Sequence, residues 1–463
     1  MRFISRKPII VPTIFLTVFM TFALAAASSS AQVRIDEITT AGNTDLNRKR
    51  GLNMLEDIKD VIKQRYYDKN YRGINIDERF KAAAARIKTL EQNRQIFRAI
   101  AQVLIEFNDS HTRFIPPNRS NRVEYGFSVQ MIGNNCFVTD VKKGSDAEKK
   151  GLKAGDRVAG LGQYETTRAN LGTINYLIYS LDPQESIKLH LYNPDRTTRE
   201  IEVIATFKSL KDRQEEAKKR RKEKSENPYR CQKIDADTIA CKLVTFSIDK
   251  KYIDMMMKEV SGHNKLILDL RGNGGGYVKI EEYLTGHFFD REVKIADFVM
   301  RDKIKERIAK PQKGRIFAGE VSVLIDSNSA SASEVFARVM QIEKRGKVVG
   351  DVSAGAVMTS NFITMANSRG VPGFETLSFF ALNVTIADLI MSDGNRLENV
   401  GVIPDYPVGP TGSALLSKSD PILSYAASLF GSKISSEDAG KFYFITKKPE
   451  DDDAEPEDPS EGN

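Results

Sequence analysis

Apolar residues recur along this chain with two different periods, and the period changes where the architecture should change. Between Asp45 and Pro117 the spacing is helical: Leu52, Leu55, Ile58 and Ile62 share one face, and Ile96, Ile100, Val103, Leu104 and Phe107 share another. From about Asn121 to Phe207 short alternating runs take over, at 125–131, 135–141 and 187–192, and read as strands with one face covered. Beyond about residue 227, continuous apolar strands at 266–270, 321–325 and 347–349 alternate with helical stretches after Gly276 and from Ser331, the pattern of an α/β layered domain. The chain therefore divides into a helical segment (38–117), a β-rich domain (121–207), a charged linker (208–226) and an α/β domain (227–429), with no internal repeat.

The ends are of another kind. Arg2, Arg6 and Lys7 precede an uncharged apolar stretch over residues 8–27, and small residues follow up to Ala31. This reads as a secretory signal over 1–31 cleaved after Ala31, and hence an exported protein, periplasmic or extracellular. The stretch is also about long enough to serve as an uncleaved membrane anchor, although the small residues behind it and the two prolines within it favour cleavage. Residues 447–463 are acidic, contain prolines and lack apolar anchors, so they are expected to be disordered.

The net charge of +7 would suggest a polyanionic partner, but much of it falls in 208–224, where Lys and Arg interleave with Asp and Glu as on a solvated helix or linker. No nucleic-acid partner is implied. Of the three cysteines, Cys231 and Cys241 flank nine residues symmetrically, so a hairpin turning near Ala236 would set them opposite one another. They are either a cross-strand disulfide or reduced packing residues, and Cys136 is left free and buried. No His, Cys and carboxylate spacing suggests a metal site.

Chemistry concentrates in two segments. Residues 326–337 read Asp-Ser-Asn-Ser-Ala-Ser-Ala-Ser-Glu-Val-Phe-Ala, a small-residue turn from strand into helix with Ser331 near the first helical turn. Small neighbours let a carbonyl approach the hydroxyl, and the free N–H groups of a helix start can stabilise developing negative charge. Taken alone, the same residues are also good helix caps. Upstream, the strand at 266–270 runs into Arg271-Gly-Asn-Gly-Gly-Gly276, a glycine run that can bring backbone N–H groups close to a ligand but lacks the Lys-Ser/Thr ending of a nucleotide loop.

Together these segments resemble the C-terminal processing peptidases, or tail-specific proteases, whose catalytic domain carries an Asp-Leu-Arg-x-Asn-x-Gly-Gly strand end and a Ser-Ala-Ser-Ala-Ser-Glu nucleophile segment. The resemblance extends to 108–117 (Asn-Asp-Ser-His-Thr-Arg-Phe-Ile-Pro-Pro), 348–355 and 397–405, and so covers nearly the whole chain behind the first 31 residues. It implies a crotonase-like, spiral βαβ catalytic domain, with Ser331 as nucleophile, the N–H groups of Gly276 and Ala332 as oxyanion hole, and Ser329 and Ser333 as structural residues. The domain at 121–207 resembles a PDZ domain. It implies capture of a chain-terminal carboxylate at Gly126 and Phe127 while the peptide adds as a strand, or a module that only braces the enzyme.

One departure from the family matters more than the matches. These peptidases usually carry a base lysine in a Gly-Lys-Gly segment and an orienting glutamine four residues later; aligned on 350–355, those positions hold Ala356 and Ser360. A serine hydroxyl is a poor nucleophile without a base. The best substitute is His111, on a loop leaving a helix, because neutral imidazole titrates near physiological pH. The tricorn protease, a distant relative, is similar in drawing a histidine base from a segment before the nucleophile and completing the set with a glutamate, for which Glu398 is the candidate. Otherwise His111 is a hydrogen-bonded residue of the domain junction. His190, His263 and His287 have no comparable setting. The expectation is a serine endopeptidase acting on polypeptides without metal or organic cofactor. The rival is a binding protein that keeps the fold without catalysis, as the retinoid-binding modules of the photoreceptor matrix do.

Overall fold

The computed structural model describes residues 44–442, apart from 118–120, 194–196, 210, 213, 217, 220–227 and 368–377. The expected signal segment (1–31) and the acidic tail (447–463) lie outside the described residues. Three helices come first, α1 Thr44–Arg65, α2 Ile76–Ile87 and α3 Asn93–Ile105. Their apolar stripes meet in one core: Leu55, Ile58, Ile62, Ile96, Ile100 and Leu104 are all buried in it. Asn75 starts α2 by accepting the N–H of Glu78 at 3.2 Å, which satisfies one of the donors a helix start leaves open.

A short strand, β1 Arg113–Ile115, leaves the helices, and the β-rich module follows. It consists of β2 Asn121–Glu124, β3 Phe127–Ile132, β4 Asn135–Val141, the single turn α4 Asp146–Lys149, β5 Arg157–Leu161 and β6 Tyr164–Glu165. The helix α5 Leu171–Tyr176 precedes β7 Ser186–Tyr192, β8 Thr198–Ile204 and β9 Thr206–Ser209. The main sheet runs β3-β4-β5-β7-β8, while β2 pairs with β9. Cys136 is buried in this module as a free thiol, and His190 is a strand residue of β7. Of the charged stretch, the described residues between 211 and 219 are helical.

The α/β part begins with β10 Tyr229–Lys233, β11 Thr238–Leu243, α6 Lys250–Val260, β12 Lys265–Asp269 and α7 Val278–Thr285. It continues through β13 Val293–Met300, β14 Ile304–Ala309, β15 Glu320–Ile325, α8 Ala332–Ile342 and β16 Lys347–Gly350. The antiparallel pair β17 Thr359–Asn367 and β18 Ser378–Met391 follows, then β19 Tyr406–Pro407 and the helices α9 Gly412–Ser417, α10 Pro421–Leu429 and α11 Ser436–Gly440. A six-stranded sheet of order β10-β11-β12-β15-β16-β19 is parallel except at the β10–β11 hairpin. Both faces are covered, which is why its strands read as continuous apolar runs. Leu266, Leu268, Val321, Val323 and Ile325 face the larger core, with residues of α6, α7 and α8, whereas Ile267, Leu324 and Val349 face α10 and α11. Packing on that second face continues past Leu429 to Ala439 and Phe442.

Two hairpins, at 293–309 and 359–391, depart from a plain strand and helix alternation. They build a second sheet of order β1-β18-β13-β14, with β17 also on β18. Phe380, Leu382 and Val384 of β18 pack into the core of α1 to α3, so the helical segment is covered by a sheet from the far end of the chain. Cys231 and Cys241 are paired in register on β10 and β11 and joined by a disulfide. The β-rich module is tied to the parallel sheet: Gln130 Nε2 donates to Asp326 Oδ2 at 2.9 Å, and Ser327 Oγ donates to the Met131 carbonyl at 2.6 Å. Arg168 bridges to Asp351 Oδ2 at 2.7 Å and to the Val352 carbonyl at 3.0 Å.

Candidate active site

Strands β12 and β15 are parallel neighbours, with Asp269 opposite Leu324, so the loops that follow them leave the same end of the sheet. Such carboxyl ends are where open α/β sheets bind ligands. The glycine run and the serine run therefore meet there, and hydrogen bonds knit them together. Ser329 Oγ donates to the Leu270 carbonyl at 2.8 Å and accepts from the Asp326 N–H at 3.0 Å. Ser333 Oγ and the Ala330 N–H both donate to the Asn273 carbonyl, at 2.9 and 3.0 Å. Asn273 itself is buried and anchored through Nδ2 to the Leu243 carbonyl at 2.9 Å.

The hydroxyls of the outer two serines of the run are thus committed to the scaffold, while Ser331 is half-buried and sits in a capping box with Glu334, whose side chain accepts the Ser331 N–H. Ser331 is the N-cap of α8 and stands at φ 55°, ψ −119°, a conformation a side-chain-bearing residue adopts only when its surroundings impose it. Glycine is required beside it: at Gly275, φ 92°, a Cβ would come within 2.7 Å of Ser331 Cβ and 2.8 Å of the Ala330 carbonyl oxygen. Among the described residues, the N–H groups of Ala332 and Gly276 have no backbone acceptor.

His111 stands on the loop between α3 and β1. Asp109 shapes that loop: its Oδ1 accepts the N–H groups of His111 at 3.0 Å and Thr112 at 2.5 Å and the Thr385 hydroxyl at 2.9 Å, and its Oδ2 accepts the Tyr66 hydroxyl at 2.9 Å. The ring meets Glu398 through an intermediary. Ser110 Oγ lies 2.6 Å from His111 Nδ1 and donates to Glu398 Oε2 at 3.1 Å, while the Ser110 N–H donates to Glu398 Oε1 at 2.7 Å. Since the hydroxyl's proton goes to the carboxylate, its lone pair takes the proton of Nδ1, which leaves the Nε2 lone pair as the basic site. Burial lowers the proton affinity of His111 below the usual imidazole value, and the Asp109 charge opposes it. Burial likewise raises Glu398, against the donors from Ser110 and Val357.

One short segment joins the two halves. The Ser331 N–H donates to the Ala356 carbonyl at 2.9 Å, and the next residue, Val357, donates its N–H to Glu398 Oε2 at 3.1 Å. Among the described residues no hydrogen bond joins the Ser331 hydroxyl to the His111 ring. Ala356 serves through its backbone alone, and Ser360 is half-buried at the start of β17. Lys279, near the glycine run, is exposed on α7.

Gly126 has φ 73°, and its carbonyl accepts the Lys142 N–H at 2.8 Å, while Phe127 is buried at the start of the edge strand β3. His263 is half-buried, His190 contacts the Gly162 carbonyl at 3.0 Å, and His287 is wholly buried against the Tyr283 carbonyl at 3.0 Å. Among the described residues no cluster of His, Cys, Asp and Glu could hold a metal. The sequence reading missed Ser110, Asp109, Asn273, Glu334 and Ser353. All five lie inside segments it singled out, so their hydrogen-bonding side chains beside candidate residues were the available signal. Ser353 acts only through contacts across the fold.

Residues 240–408 match the model of peptidase family S41 and residues 117–173 that of the PDZ domain. The chain is 24% identical over 376 residues to the chloroplastic C-terminal processing peptidase of Tetradesmus obliquus, covering 76% of this chain and 75% of that protein. It is 22% identical over 337 residues to the carboxy-terminal processing protease CtpB of Bacillus subtilis (strain 168), covering 70% and 64%. To the tail-specific protease of Haemophilus influenzae (strain ATCC 51907 / DSM 11121 / KW20 / Rd) it is 24% identical over 317 residues, covering 64% of this chain and 44% of that one. Among solved structures, mature CPAF complexed with lactacystin superposes with a TM-score of 0.62 at 14% identity, over 83% of this chain and 98% of the other. The resemblance to C-terminal processing peptidases and the α/β fold with a PDZ domain are thereby borne out.

Proposed function

We propose that this chain, with its S41 peptidase and PDZ segments, is an exported serine endopeptidase that cleaves polypeptides near their C-termini. The observation that carries the reading is the relay from Glu398 through Ser110 to His111, tied by residues 356 and 357 to the backbone of Ser331. Ser331 Oγ attacks the scissile carbonyl while His111 Nε2 takes its proton. The N–H groups of Ala332 and Gly276 receive the oxyanion, which preorganised donors stabilise best where water is excluded. His111 then returns the proton to the leaving amine, and water resolves the acyl-enzyme by the same route. Glu398 orients the ring through Ser110 and stabilises the imidazolium. The base is thus a histidine, since Ala356 stands where the related peptidases carry lysine.

The PDZ segment supplies the choice of substrate end. Gly126 precedes and Phe127 opens an edge strand, β3, beside which an extended peptide can add, its terminal carboxylate held by backbone N–H groups. The test is hydrolysis of an unfolded polypeptide such as casein, with labelling by a fluorophosphonate probe. Wild type should cleave and be labelled at Ser331, and Ser331→Ala should do neither while keeping its fold. Equal cleavage by the Ser331→Ala protein would refute the nucleophile. Silence of wild type in both assays would favour a binding protein of this fold.

A further inference from the structure

Glu334 lies three residues beyond Ser331 in the first turn of α8 and is wholly buried. Its carboxylate takes four donors. Oε2 accepts the N–H groups of Ser331 and Ala356, each at 2.9 Å, and Oε1 accepts the Ser353 hydroxyl at 2.6 Å and the Gly355 N–H at 2.7 Å. Ser353 is fastened in turn by the Val402 N–H, which donates to its Oγ at 2.6 Å. The charged groups on the surrounding elements are engaged elsewhere: Arg338 of α8 with Asp393, Asp351 with Arg168, and Glu398 with Ser110 and the far side of the same segment.

An ionised carboxylate only accepts, which matches four converging donors. A protonated one must donate, and the oxygen placed to accept is Ser353 Oγ, which can then no longer donate to Glu334, so that contact is reversed and the buried Ser353 proton loses its acceptor. The nucleophile's strained φ and ψ depend on its N–H being held, and Glu334 supplies one of the two acceptors that hold it, the other being the Ala356 carbonyl. Residues 353–357 therefore sit between two carboxylates, Glu334 on the side of the nucleophile and Glu398 on the side of the base.

We propose that ionised Glu334 is a positioning residue that keeps Ser331 and the segment 353–357 in register, so that its protonation impairs the site by a route separate from protonation of the base. The inference rests on the Ser331 reading of the site. Burial pushes the Glu334 carboxyl up to about 7, against its four donors, which brings this ionisation into the working pH range.

The experiment measures casein turnover and the fluorophosphonate labelling rate of the full chain against pH, for wild type, Glu334→Gln and Ser353→Ala. Wild type should lose activity towards acid in two steps, the upper from Glu334 and the lower from His111. Glu334→Gln should lower kcat about 10-fold or more at unchanged KM, because its amide donors oppose the N–H groups. It should also retain only the lower step. Ser353→Ala removes a donor to the ionised form, so the upper step should move to higher pH, with a smaller fall in the plateau. A merely structural role would lower the plateau without moving the step. If Glu334→Gln does not fold, as judged by circular dichroism, the displacement in Ser353→Ala decides. An active wild type with a single acid step, or a Glu334→Gln protein labelled at the wild-type rate, overturns this inference alone. A wild type inert to both casein and probe overturns the Ser331 reading and this inference with it.

Discussion

Replacing Ser110 by alanine isolates the relay without touching substrate. The ring loses its Nδ1 partner at 2.6 Å and with it the path to Glu398, while Glu398 keeps the N–H groups of Ser110 and Val357. A hydrogen bond to a charged group contributes about 1.5–3 kcal/mol, and here it strengthens when the ring becomes imidazolium in the transition state. Lost from the barrier, that amounts to about 10- to 150-fold in kcat, with KM unchanged. Stability should fall by about 1–3 kcal/mol, because the His111 Nδ1–H is left without its acceptor. The pH profile has a defined direction. His111 acts when neutral, so activity rises with pH through its ionisation; without the link to the carboxylate the imidazolium is less stabilised, and that limb moves to lower pH. The assay is steady-state cleavage of a casein-derived fluorogenic peptide from about pH 5 to 8, with Ser110→Thr as the variant that keeps the hydroxyl. Glu398→Gln combined with Ser110→Ala should be far less than additive, because both cut the same relay. A Ser110→Ala enzyme within about twofold of wild type in kcat, with the limb unmoved, would show that the relay does not act on the base.

His111→Ala should lower kcat by about 100-fold or more while a tight-binding peptide still binds, measured by turnover and by titration of the peptide. Arg271 forks between Asp269 and Asp420, both buried, and opposing burial the cations Arg271 and Lys242 hold Asp269 down to about 2. The interaction therefore contributes about 2 kcal/mol above the ordinary carboxylate range, lost as the pH falls from about 4 through about 2. Arg271→Leu should cost about 3–5 kcal/mol near neutrality by stranding two carboxylates, read from urea unfolding, and a loss below about 1 kcal/mol would contradict the assignment. Alkylation without reductant should spare Cys231 and Cys241, joined in the structure, and react slowly with Cys136, whose buried thiol is pushed up to about 11. Mass spectrometry before and after reduction checks both.

Much of this protein was determined locally. The helical spacing of Leu55, Ile58 and Ile62, the apolar runs at 266–270 and 321–325, and the glycine and serine turns behind them each obey rules that act within a few residues, so sequence suffices to place them. The pairing of Cys231 with Cys241 was open from sequence and followed once β10 and β11 formed a hairpin in that register. Long-range contacts decided the rest. That β18 covers the first three helices, that Ser110 stands between His111 and Glu398, and that Glu334 binds Ser353 and Gly355 all join residues many positions apart. Serine and glutamate are such common caps that their presence near a helix start does not announce which partners they will meet. Those partners are selected only when the sheets close, because a buried carboxylate or N–H must be matched wherever the chain brings it, and the match lies in the packing.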